Sequence, residues 1–379
     1  MHIHNQASED RYFCTQCHRS EEIKVAQWKC SCGGLLQIKK GVLDFQRDEN
    51  NKNTGLWRYA KLISAFNDLQ PISLGEGNTP ITSASWENKE IHLKWEGMLP
   101  TGSYKDRGAT AMISMLSYLG VKSIVEDSSG NAGAAIAWYA KMAGIPCEIF
   151  VPAHASGGKL NTIAAAGANL RVIPGERENA SIEAMKAAND SFYASHVWCP
   201  FFIEGVKTLA YELHEQLGKN LVQRIILPVG NGALLLGLFK GLAELLAVKK
   251  INSIPELIAV QAENCAPLYH EFHGIPPEEH HFQKTLAEGI ANRFPPRLKE
   301  IMTALQSSRG TLLKVREEEI HKALLKALGR GWMIEPTSAV SLAGLNQLDN
   351  NKSTLVIISG SGLKINEQLA GIVAEQAKY

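Results

Sequence analysis

Three apolar strands of this chain run directly into turns of small residues, and two of those turns open helix-like stretches. These segments are residues 122–143, 224–247 and 354–364. Between them, strand-like runs at 146–151, 169–173 and 257–261 alternate with helix-like runs at 159–166 and 179–188. The alternation predicts an α/β fold, with parallel sheets covered by helices on both faces. Ligands of such open sheets bind at the carboxyl ends of the strands, so the turns are the candidate sites.

The segment Pro100–Gly108 places a lysine at the start of a helix. Lys105 follows the turn-forming Pro-Thr-Gly and opens an apolar, helix-periodic run that ends near Leu119. An amine becomes a nucleophile toward an aldehyde when burial and a positive neighbour lower its pKa, and Arg107 lies two residues further on. An exposed lysine in a first helical turn is the alternative interpretation. Lys105 is a candidate Schiff-base lysine.

Two turns of small residues are candidate anion sites. Ser128-Ser-Gly-Asn-Ala-Gly133 and Val229-Gly-Asn-Gly-Ala-Leu234 each open a helix. Small residues let an anion approach the backbone N–H groups of a helix start, where the helix dipole favours negative charge. The second turn suits a phosphate dianion, although it has neither the Gly-Lys-Ser/Thr of a nucleotide-binding loop nor the three-glycine dinucleotide spacing. Turns that need small residues only for packing are the alternative.

The C-terminal strand Thr354–Ile358 ends in Ser359-Gly-Ser-Gly-Leu-Lys364. This order places the hydroxyl group of Ser359 at the carboxyl edge of the predicted sheet. The alternative is a solvated turn without a ligand.

Composition argues against several classes of protein. The 379 residues contain 39 Lys and Arg against 38 Asp and Glu, so no general affinity for nucleic acid is expected. The apolar runs are far shorter than the roughly 20 residues of a membrane span, and the N-terminus lacks the apolar core of a signal peptide. We therefore expect a cytoplasmic protein with neither nucleic acid nor a membrane as partner.

Taken in this order, these motifs resemble the pyridoxal phosphate enzymes of the tryptophan synthase β-subunit type (fold type II), and most closely the threonine synthase family. The resemblance spans roughly 300 residues. It includes four further motifs, Leu74–Pro80, Lys94–Gly97, Glu204–Thr208 and Glu335–Ala339. It implies two open, twisted parallel-sheet domains, pyridoxal 5'-phosphate as cofactor, a small amino acid as substrate and a homodimer.

The resemblance also implies roles for individual residues. Lys105 would form the Schiff base and carry the substrate's α-proton, Asn131 would hydrogen-bond the phenolic oxygen of the cofactor, and Ser359 would face its ring nitrogen. A neutral hydroxyl does not keep that nitrogen protonated, which favours elimination or replacement over transamination. The cofactor phosphate would be held by Gly230, Asn231, Gly232, Ala233 and Leu234. The substrate would be contacted by Ser128, Ser129, Thr101, Ser103, Arg107 and Lys159.

One segment departs from the family pattern. Threonine synthases usually carry Asn-Ser-x-Asn-Pro-x-Arg, whose serine and arginine help to bind the substrate phosphate. Here the segment is His196-Val-Trp-Cys-Pro-Phe-Phe202, with Val197 and Phe202 at those two positions. A phosphate dianion thereby loses a bidentate partner worth about 2 kcal/mol or more. Ser361 stands where the family often has His or Asn, and Ala287–Ala291 resembles a run of threonine dehydratases.

The predicted activity is therefore a lyase reaction in which an amino acid loses, or exchanges, a β- or γ-leaving group. Conversion of O-phosphohomoserine to threonine is the first expectation. The alternative is a β-elimination or β-replacement like that of serine/threonine dehydratases or cysteate synthases.

Four of the seven cysteines crowd the N-terminal region. Cys14-Thr-Gln-Cys17 and Cys30-Ser-Cys32 resemble the two knuckles of a zinc ribbon, although the second is one residue short. We expect a structural zinc held by these four thiolates, with His18 as a possible substitute ligand. A ribbon that has lost its metal is one alternative, and a ribbon that binds a separate partner is another.

Four parts of the chain are predicted. They are a zinc-ribbon-like module at 1–45, a polar linker at 46–55, a large cofactor domain at 56–91 and 201–379, and a small α/β domain at 92–200. By the resemblance, the cofactor lies in the cleft between the two larger domains.

Overall fold

The computed structural model describes residues 9–45, 54–153, 155, 157–279 and 282–376. Residues 46–53 of the predicted linker and residues 1–8 of the predicted module lie outside the described residues. The strands are β1 (Arg11–Cys14), β2 (Ser20–Glu22), β3 (Leu36–Lys39), β4 (Ile81–Trp86), β5 (Lys89–Trp95), β6 (Ile124–Glu126), β7 (Cys147–Pro152), β8 (Asn169–Ile173), β9 (Phe192–Tyr193), β10 (Arg224–Pro228), β11 (Glu256–Ala262), β12 (Thr311–Val315) and β13 (Thr354–Ile358). The α-helices are α1 (Ala60–Ile63), α2 (Lys105–Tyr118), α3 (Asn131–Ala143), α4 (Gly157–Ala165), α5 (Arg177–Ala187), α6 (Pro200–Val206), α7 (Thr208–Leu217), α8 (Ala233–Ala247), α9 (Pro267–His273), α10 (Leu298–Ser307), α11 (Glu317–Leu328), α12 (Pro336–Gly344) and α13 (Asn366–Gln376).

The chain divides into two compact units. The first comprises Met1–Asn78 and Lys105–Thr208, and the second comprises Thr79–Tyr104 and Leu209–Tyr379. This division differs from the predicted domain boundaries over residues 56–78, 92–104 and 201–208. The difference over residues 92–104 arises because strand β5 pairs in parallel with β13 in the sheet of the second unit. The difference over residues 56–78 is explained by a side-chain contact within the first unit. Trp57 Nε1 donates a hydrogen bond to Thr110 Oγ1 on α2 at 2.8 Å.

A small antiparallel sheet in the first unit carries the cysteine-rich module. Its strand order is β2-β1-β3. Side chains alternate along the strands, so that Tyr12, Leu36 and Ile38 are buried between half-buried or exposed neighbours. The module therefore has an apolar face of its own.

The module packs on β9, on α6 and on the segment between them. The ring of Tyr12 lies 5.8 Å from the ring of Phe201. Trp28 lies edge-on to Tyr193 at 5.0 Å and to Trp198 at 5.7 Å. Aromatic contacts of this kind contribute beyond their buried area. The module thus supports the stretch of chain that departs from the family pattern.

The larger sheet of the first unit is parallel throughout, with the order β8-β7-β6-β9. The chain adds β7 and β8 on one side of β6 and then returns to place β9 on the other side. The strand order therefore reverses between β6 and β9. Such a switch point opens a crevice at the carboxyl ends of the strands, where the turns 127–130 and 194–199 follow β6 and β9.

The sheet of the second unit has the order β12-β11-β10-β13-β5-β4. All neighbouring strands are parallel except β4, which runs antiparallel to β5 at one edge. Every residue of β10 and β13 is buried, as expected of central strands covered by helices on both faces. The order reverses between β10 and β13, which brings the turns after Pro228 and Ile358 to one switch point. The predicted α/β fold with two sheet-containing units is confirmed.

In the described ranges, no helix combines the length and apolar character that crossing a membrane requires.

Candidate active site

Lys105 is the first residue of α2, and 9% of its surface is exposed. Its Nζ lies 5.8 Å from the centre of the Phe202 ring. One turn further along α2, Gly108 makes room for that ring, because a Cβ there would lie 2.4 Å from a Phe202 carbon. The lysine thus stands at a buried helix start beside an aromatic ring.

Arg107 follows Lys105 on α2 and is fully buried. Its guanidinium donates a hydrogen bond to Thr208 Oγ1 at 3.3 Å, within the first unit. Its contact with substrate stays a prediction. Lys159 lies on α4, and its side chain is outside the described part of the chain.

The turn after β6 holds the predicted carboxylate-binding serines. Ser128 is buried and Ser129 is half-buried, and the backbone N–H of Gly130 donates to Ser128 Oγ at 3.3 Å. Helix α3 begins at Asn131, next to a residue that has no side chain to cap it. A Cβ at Gly133 would lie 1.9 Å from the carbonyl oxygen of Ser128. Packing therefore requires a glycine at position 133. The start of α3 also presents backbone N–H groups, which are the groups that bind anions at helix N-termini.

A buried histidine–glutamate pair lies at the same switch point and was not predicted as part of the site. Glu126 ends β6, His196 follows β9, and His196 Nδ1 is 2.8 Å from Glu126 Oε1. Burial, with the positive charge of Lys105, holds the pKa of His196 well below its usual value. Burial raises the pKa of Glu126. The imidazole is therefore neutral at neutral pH.

Asp127 adds a second buried acidic group next to the Glu126–His196 pair. Its carboxylate accepts hydrogen bonds from Tyr193 Oη at 3.0 Å and from Ser181 Oγ. Burial, followed by the nearby charge of Glu126, raises the pKa of Asp127 to about 6. The first unit thus concentrates titratable groups at its switch point.

In the second unit, the turn after β10 is shaped by glycines. Gly232 has a φ of +85° and precedes α8, which no side chain caps. A Cβ at Gly230 would lie 2.8 Å from the Cα of Ile290, so the loop packs directly on the Ala287–Ala291 run. Asn292 Nδ2 donates to Asn231 Oδ1. Because the first four N–H groups of a helix have no acceptor within it, this loop presents donors to an anion.

Ser359 lies at the same switch point, as the carboxyl-edge argument predicts. Its Oγ is 3.2 Å from Ser338 Oγ, and Ser338 Oγ accepts from the backbone N–H of Gly360 at 3.0 Å. A Cβ at Gly360 would lie 2.2 Å from a carboxylate oxygen of Glu335. The Glu335–Ala339 motif and the Ser-Gly strand end, far apart in sequence, therefore form one structure.

Two other predicted substrate residues belong to the second unit. Thr101 is half-buried and Ser103 is fully buried. The backbone of Ser103 forms an isolated bridge with Gly360, next to Ser359. Its Oγ has no hydrogen-bond partner among the residues that the structure describes. A buried hydroxyl without a partner is suited to meeting a ligand.

The four N-terminal cysteines converge in the first unit. All four sulfur atoms lie within 4.8 Å of one another. Cys14 Sγ is 3.5 Å from Cys32 Sγ, and Cys17 Sγ is 3.7 Å from Cys30 Sγ. Four thiolates at about 2.3 Å from a tetrahedral zinc would be roughly 3.8 Å apart. The cluster is therefore compatible with a bound metal ion.

Comparison with known proteins identifies the family. Residues 72–360 match the family described as pyridoxal-phosphate dependent enzyme. This chain belongs to that family. The enzyme also has relatives of known name. The threonine synthase of Methanocaldococcus jannaschii is 30% identical over 377 residues, which cover 93% of this chain and 92% of the relative.

A second relative and a solved structure agree. The threonine synthase of Methanosarcina acetivorans is 31% identical over 353 residues, covering 88% of this enzyme and 86% of the relative. The structure of maize serine racemase superposes with a TM-score of 0.62 and 21% identity, covering 79% of this enzyme and 94% of that chain. At that identity the likeness shows the shared fold alone. The predicted membership is confirmed, and the enzyme is a pyridoxal-phosphate-dependent lyase of the threonine synthase type.

Proposed function

We propose that this enzyme removes or replaces a leaving group at the β or γ carbon of a small amino acid. Lys105 Nζ would hold the cofactor and move the proton of the substrate's Cα. Asn131 would hydrogen-bond the phenolic oxygen of the cofactor, and Ser128 and Ser129 would bind the substrate carboxylate. The observation that carries the proposal is the placement of Lys105 at the buried start of α2, beside Phe202.

The residues of the second unit fit a phosphorylated pyridine cofactor. The Gly230–Leu234 loop would hold the phosphate with backbone N–H groups at the start of α8. Ser359 would meet the ring nitrogen as a neutral hydroxyl held against Ser338. When bound, pyridoxal phosphate supplies an electron sink for the substrate, which is weaker opposite a hydroxyl than opposite a carboxylate. This supports elimination or replacement as the reaction class.

The first candidate substrate is O-phospho-L-homoserine, which would yield threonine and phosphate. The relatives named threonine synthase support it, because they match this enzyme over most of its length. Either Arg107 or Lys159 would then have to bind the phosphate that the family's arginine binds. Arg107 donates one hydrogen bond to Thr208 Oγ1 in this structure, and a phosphate would have to be bound by other N–H groups of the same guanidinium.

The second candidate is β-elimination or β-replacement on a serine-like amino acid, as in dehydratases or cysteate synthases. Val197 and Phe202, at the positions of the family's serine and arginine, are both buried apolar side chains. An apolar wall does not compensate the desolvation of a phosphate dianion. This observation favours a substrate whose leaving group carries no double negative charge.

A product assay of the cofactor-loaded enzyme tests the proposal and separates the two candidates. O-phospho-L-homoserine, L-serine, L-threonine and O-phospho-L-serine are offered in parallel, and phosphate, oxo acid and new amino acids are measured. Threonine and phosphate from the first compound establish the first candidate. Oxo acid or a replacement product from the others establishes the second. No product from any of the four contradicts the proposal.

We also propose that Cys14, Cys17, Cys30 and Cys32 hold a structural zinc ion. The sulfur separations support four thiolate ligands. Metal analysis of the purified protein should give about one zinc per chain, lost in a Cys14→Ser and Cys17→Ser double variant. A metal-free wild-type protein would contradict this. The homodimer and the cytoplasmic location stay predictions.

A further inference from the structure

His196 and Lys105 both lie near the ring of Phe202 in the first unit. The ring of His196 lies 5.9 Å from the ring of Phe202 at an angle of 67°, an edge-to-face contact. Lys105 Nζ lies 5.8 Å from the centre of the same ring. The charge of Lys105 also acts directly on His196. The imidazole therefore belongs to the surroundings of the reactive amine, although no sequence motif marks it.

Glu126 fixes the orientation of that imidazole. Its Oε1 faces His196 Nδ1 at 2.8 Å, and its Oε2 accepts from the backbone N–H of Asp127 at 2.6 Å. We assign the shared proton to Nδ1, so that Nδ1–H donates to Glu126 Oε1 and Nε2 of His196 carries the lone pair. A carboxylate that holds the tautomer in this way makes the other ring nitrogen a base.

Replacement chemistry transfers a second proton in addition to that of Cα. Lys105 serves the proton of Cα, and a neutral nucleophile must also lose its own proton as it bonds to the β carbon, which a base near Lys105 would accept. The segment that in the family carries a phosphate-binding arginine carries instead the uncharged Phe202 and, six residues earlier, His196. Compared with the family pattern, this segment lacks the cation that would bind an anionic leaving group. It contains instead a base that would accept a proton from a neutral nucleophile.

We propose that His196 is the base that accepts the proton of the incoming nucleophile, and that Glu126 is its positioning residue. The inference rests on the proposed function and names the second reactant as water or another small neutral molecule with an O–H or S–H bond. The nucleophile's bond to hydrogen breaks, and its oxygen or sulfur bonds to the β carbon. With a serine-like substrate, that same carbon releases the leaving group. With O-phospho-L-homoserine, the γ carbon releases phosphate and takes up a proton, and the β carbon gives up a proton and gains the hydroxyl. The leaving group departs with its electron pair, and the proton on Nε2 passes to it or to solvent.

Several charged groups face His196 and determine its pH dependence. Glu126 and Asp127 act from the end of β6, Lys105 from α2 and Arg177 from α5. Burial and the two cations lower the pKa of His196, against the opposing effect of Asp127. A base works only when neutral, so replacement should persist below pH 6.5 and decline as the pH falls through that lowered pKa.

The experiment separates the two proton transfers in the cofactor-loaded enzyme. Exchange of the Cα proton of L-alanine in D2O, followed by NMR, measures the proton transfer that is assigned to Lys105. Replacement is measured with O-phospho-L-homoserine and water, and with L-serine and 2-mercaptoethanol. The variants are His196→Asn, which keeps a polar group for Glu126 but no base, and Glu126→Gln, which keeps an acceptor but no charge. His92→Asn is the matched control, since His92 is a partly exposed histidine that contacts Ser83 on the edge strand of the second unit.

His196→Asn should lower the replacement rate about 100-fold, with a smaller loss for Glu126→Gln, while Cα exchange stays within about threefold of wild type. The acid-side decline of the pH profile should change in both variants and not in His92→Asn. Unchanged replacement in His196→Asn would overturn the inference, as would equal losses of exchange and replacement in both variants. A wild-type enzyme that catalyses Cα-proton exchange and elimination, but no replacement, would also overturn the inference about His196. That result would leave the proposed function intact. Retained exchange in Lys105→Ala would contradict the proposed function itself.

Discussion

The switch points of the two sheets are built from different chemistry. In the first unit, the turns after β6 and β9 carry buried titratable groups, Glu126, Asp127 and His196. In the second unit, the turns after β10 and β13 carry glycines and the hydroxyl of Ser359, with Glu335 lying against Gly360. Both are formed by the same reversal of strand order.

The contrast assigns different tasks to the two units. Backbone N–H groups and hydroxyls do not titrate near neutral pH, so the second unit can bind an anion with constant strength across that range. Buried carboxyl, imidazole and amine groups shift their pKa values and exchange protons there. We therefore expect substitutions in the first unit to change rates and pH profiles, and substitutions in the second unit to change cofactor affinity.

The largest expected effect is that of Lys105→Ala. Turnover should fall about 1000-fold or more, because the group that serves Cα is removed. The visible absorbance band of lysine-bound pyridoxal phosphate should disappear, while the cofactor still binds through the phosphate loop of the second unit. Absorbance spectra and equilibrium dialysis measure the two effects. Lys122→Ala, an exposed lysine of the same unit, should change neither. An unchanged spectrum in Lys105→Ala would show that another lysine holds the cofactor.

Gly232→Ala should weaken cofactor binding without altering the pH profile. The positive φ is costly for alanine, and the new Cβ would lie 2.4 Å from Ile301 Cδ1, so the start of α8 must shift. The dissociation constant of pyridoxal phosphate should rise about tenfold, equivalent to about 1.4 kcal/mol. Gly274→Ala is the matched control, since Gly274 has a positive φ with open space around it and lies outside the loop. Equal loss of affinity in both variants would assign the effect to general destabilisation.

Local patterns predicted the elements that carry the site. The strands Asn169–Ile173, Arg224–Pro228 and Thr354–Ile358 have the predicted bounds. Lys105 begins a helix as predicted, because a turn followed by apolar periodicity is a local signal. The position of Ser359 at the carboxyl edge could be predicted because it depends only on the direction of strand β13.

Contacts between distant segments were not predictable from one sequence. His196 and Glu126 are 70 residues apart, and their pairing depends on β9 lying next to β6. Nothing in the local sequence of either strand specifies that neighbour, and β9 is only two residues long. The same reason explains β5, because the predicted boundary, taken from the resemblance, placed residues 92–95 in the small domain, whereas residues 91–95 of this strand pair with β13. Glu126 is the last residue of the predicted strand 122–126, and a buried acidic residue at that carboxyl end is a signal that could have drawn attention to it. No strand was predicted at Phe192–Tyr193, so His196 had no such signal.

The smallest expected effect on turnover comes with a change in stability, and it tests whether Asp127 of the first unit titrates near neutral pH. Folding raises the pKa of Asp127 to about 6, whereas an unfolded aspartate loses its proton near pH 4. The protonated side chain therefore favours the folded state below about pH 4, and this contribution is lost as the pH rises through 6. Asp127→Asn stays neutral, so the unfolding free energy of wild type should fall relative to the variant by about 2 kcal/mol between pH 4 and pH 7. Urea unfolding at several pH values measures this difference, with Asp190→Asn, an exposed aspartate of the same unit, as control. A constant difference between wild type and Asp127→Asn would show that Asp127 is ionised throughout, and the contrast between the two switch points would then rest on His196 and Glu126.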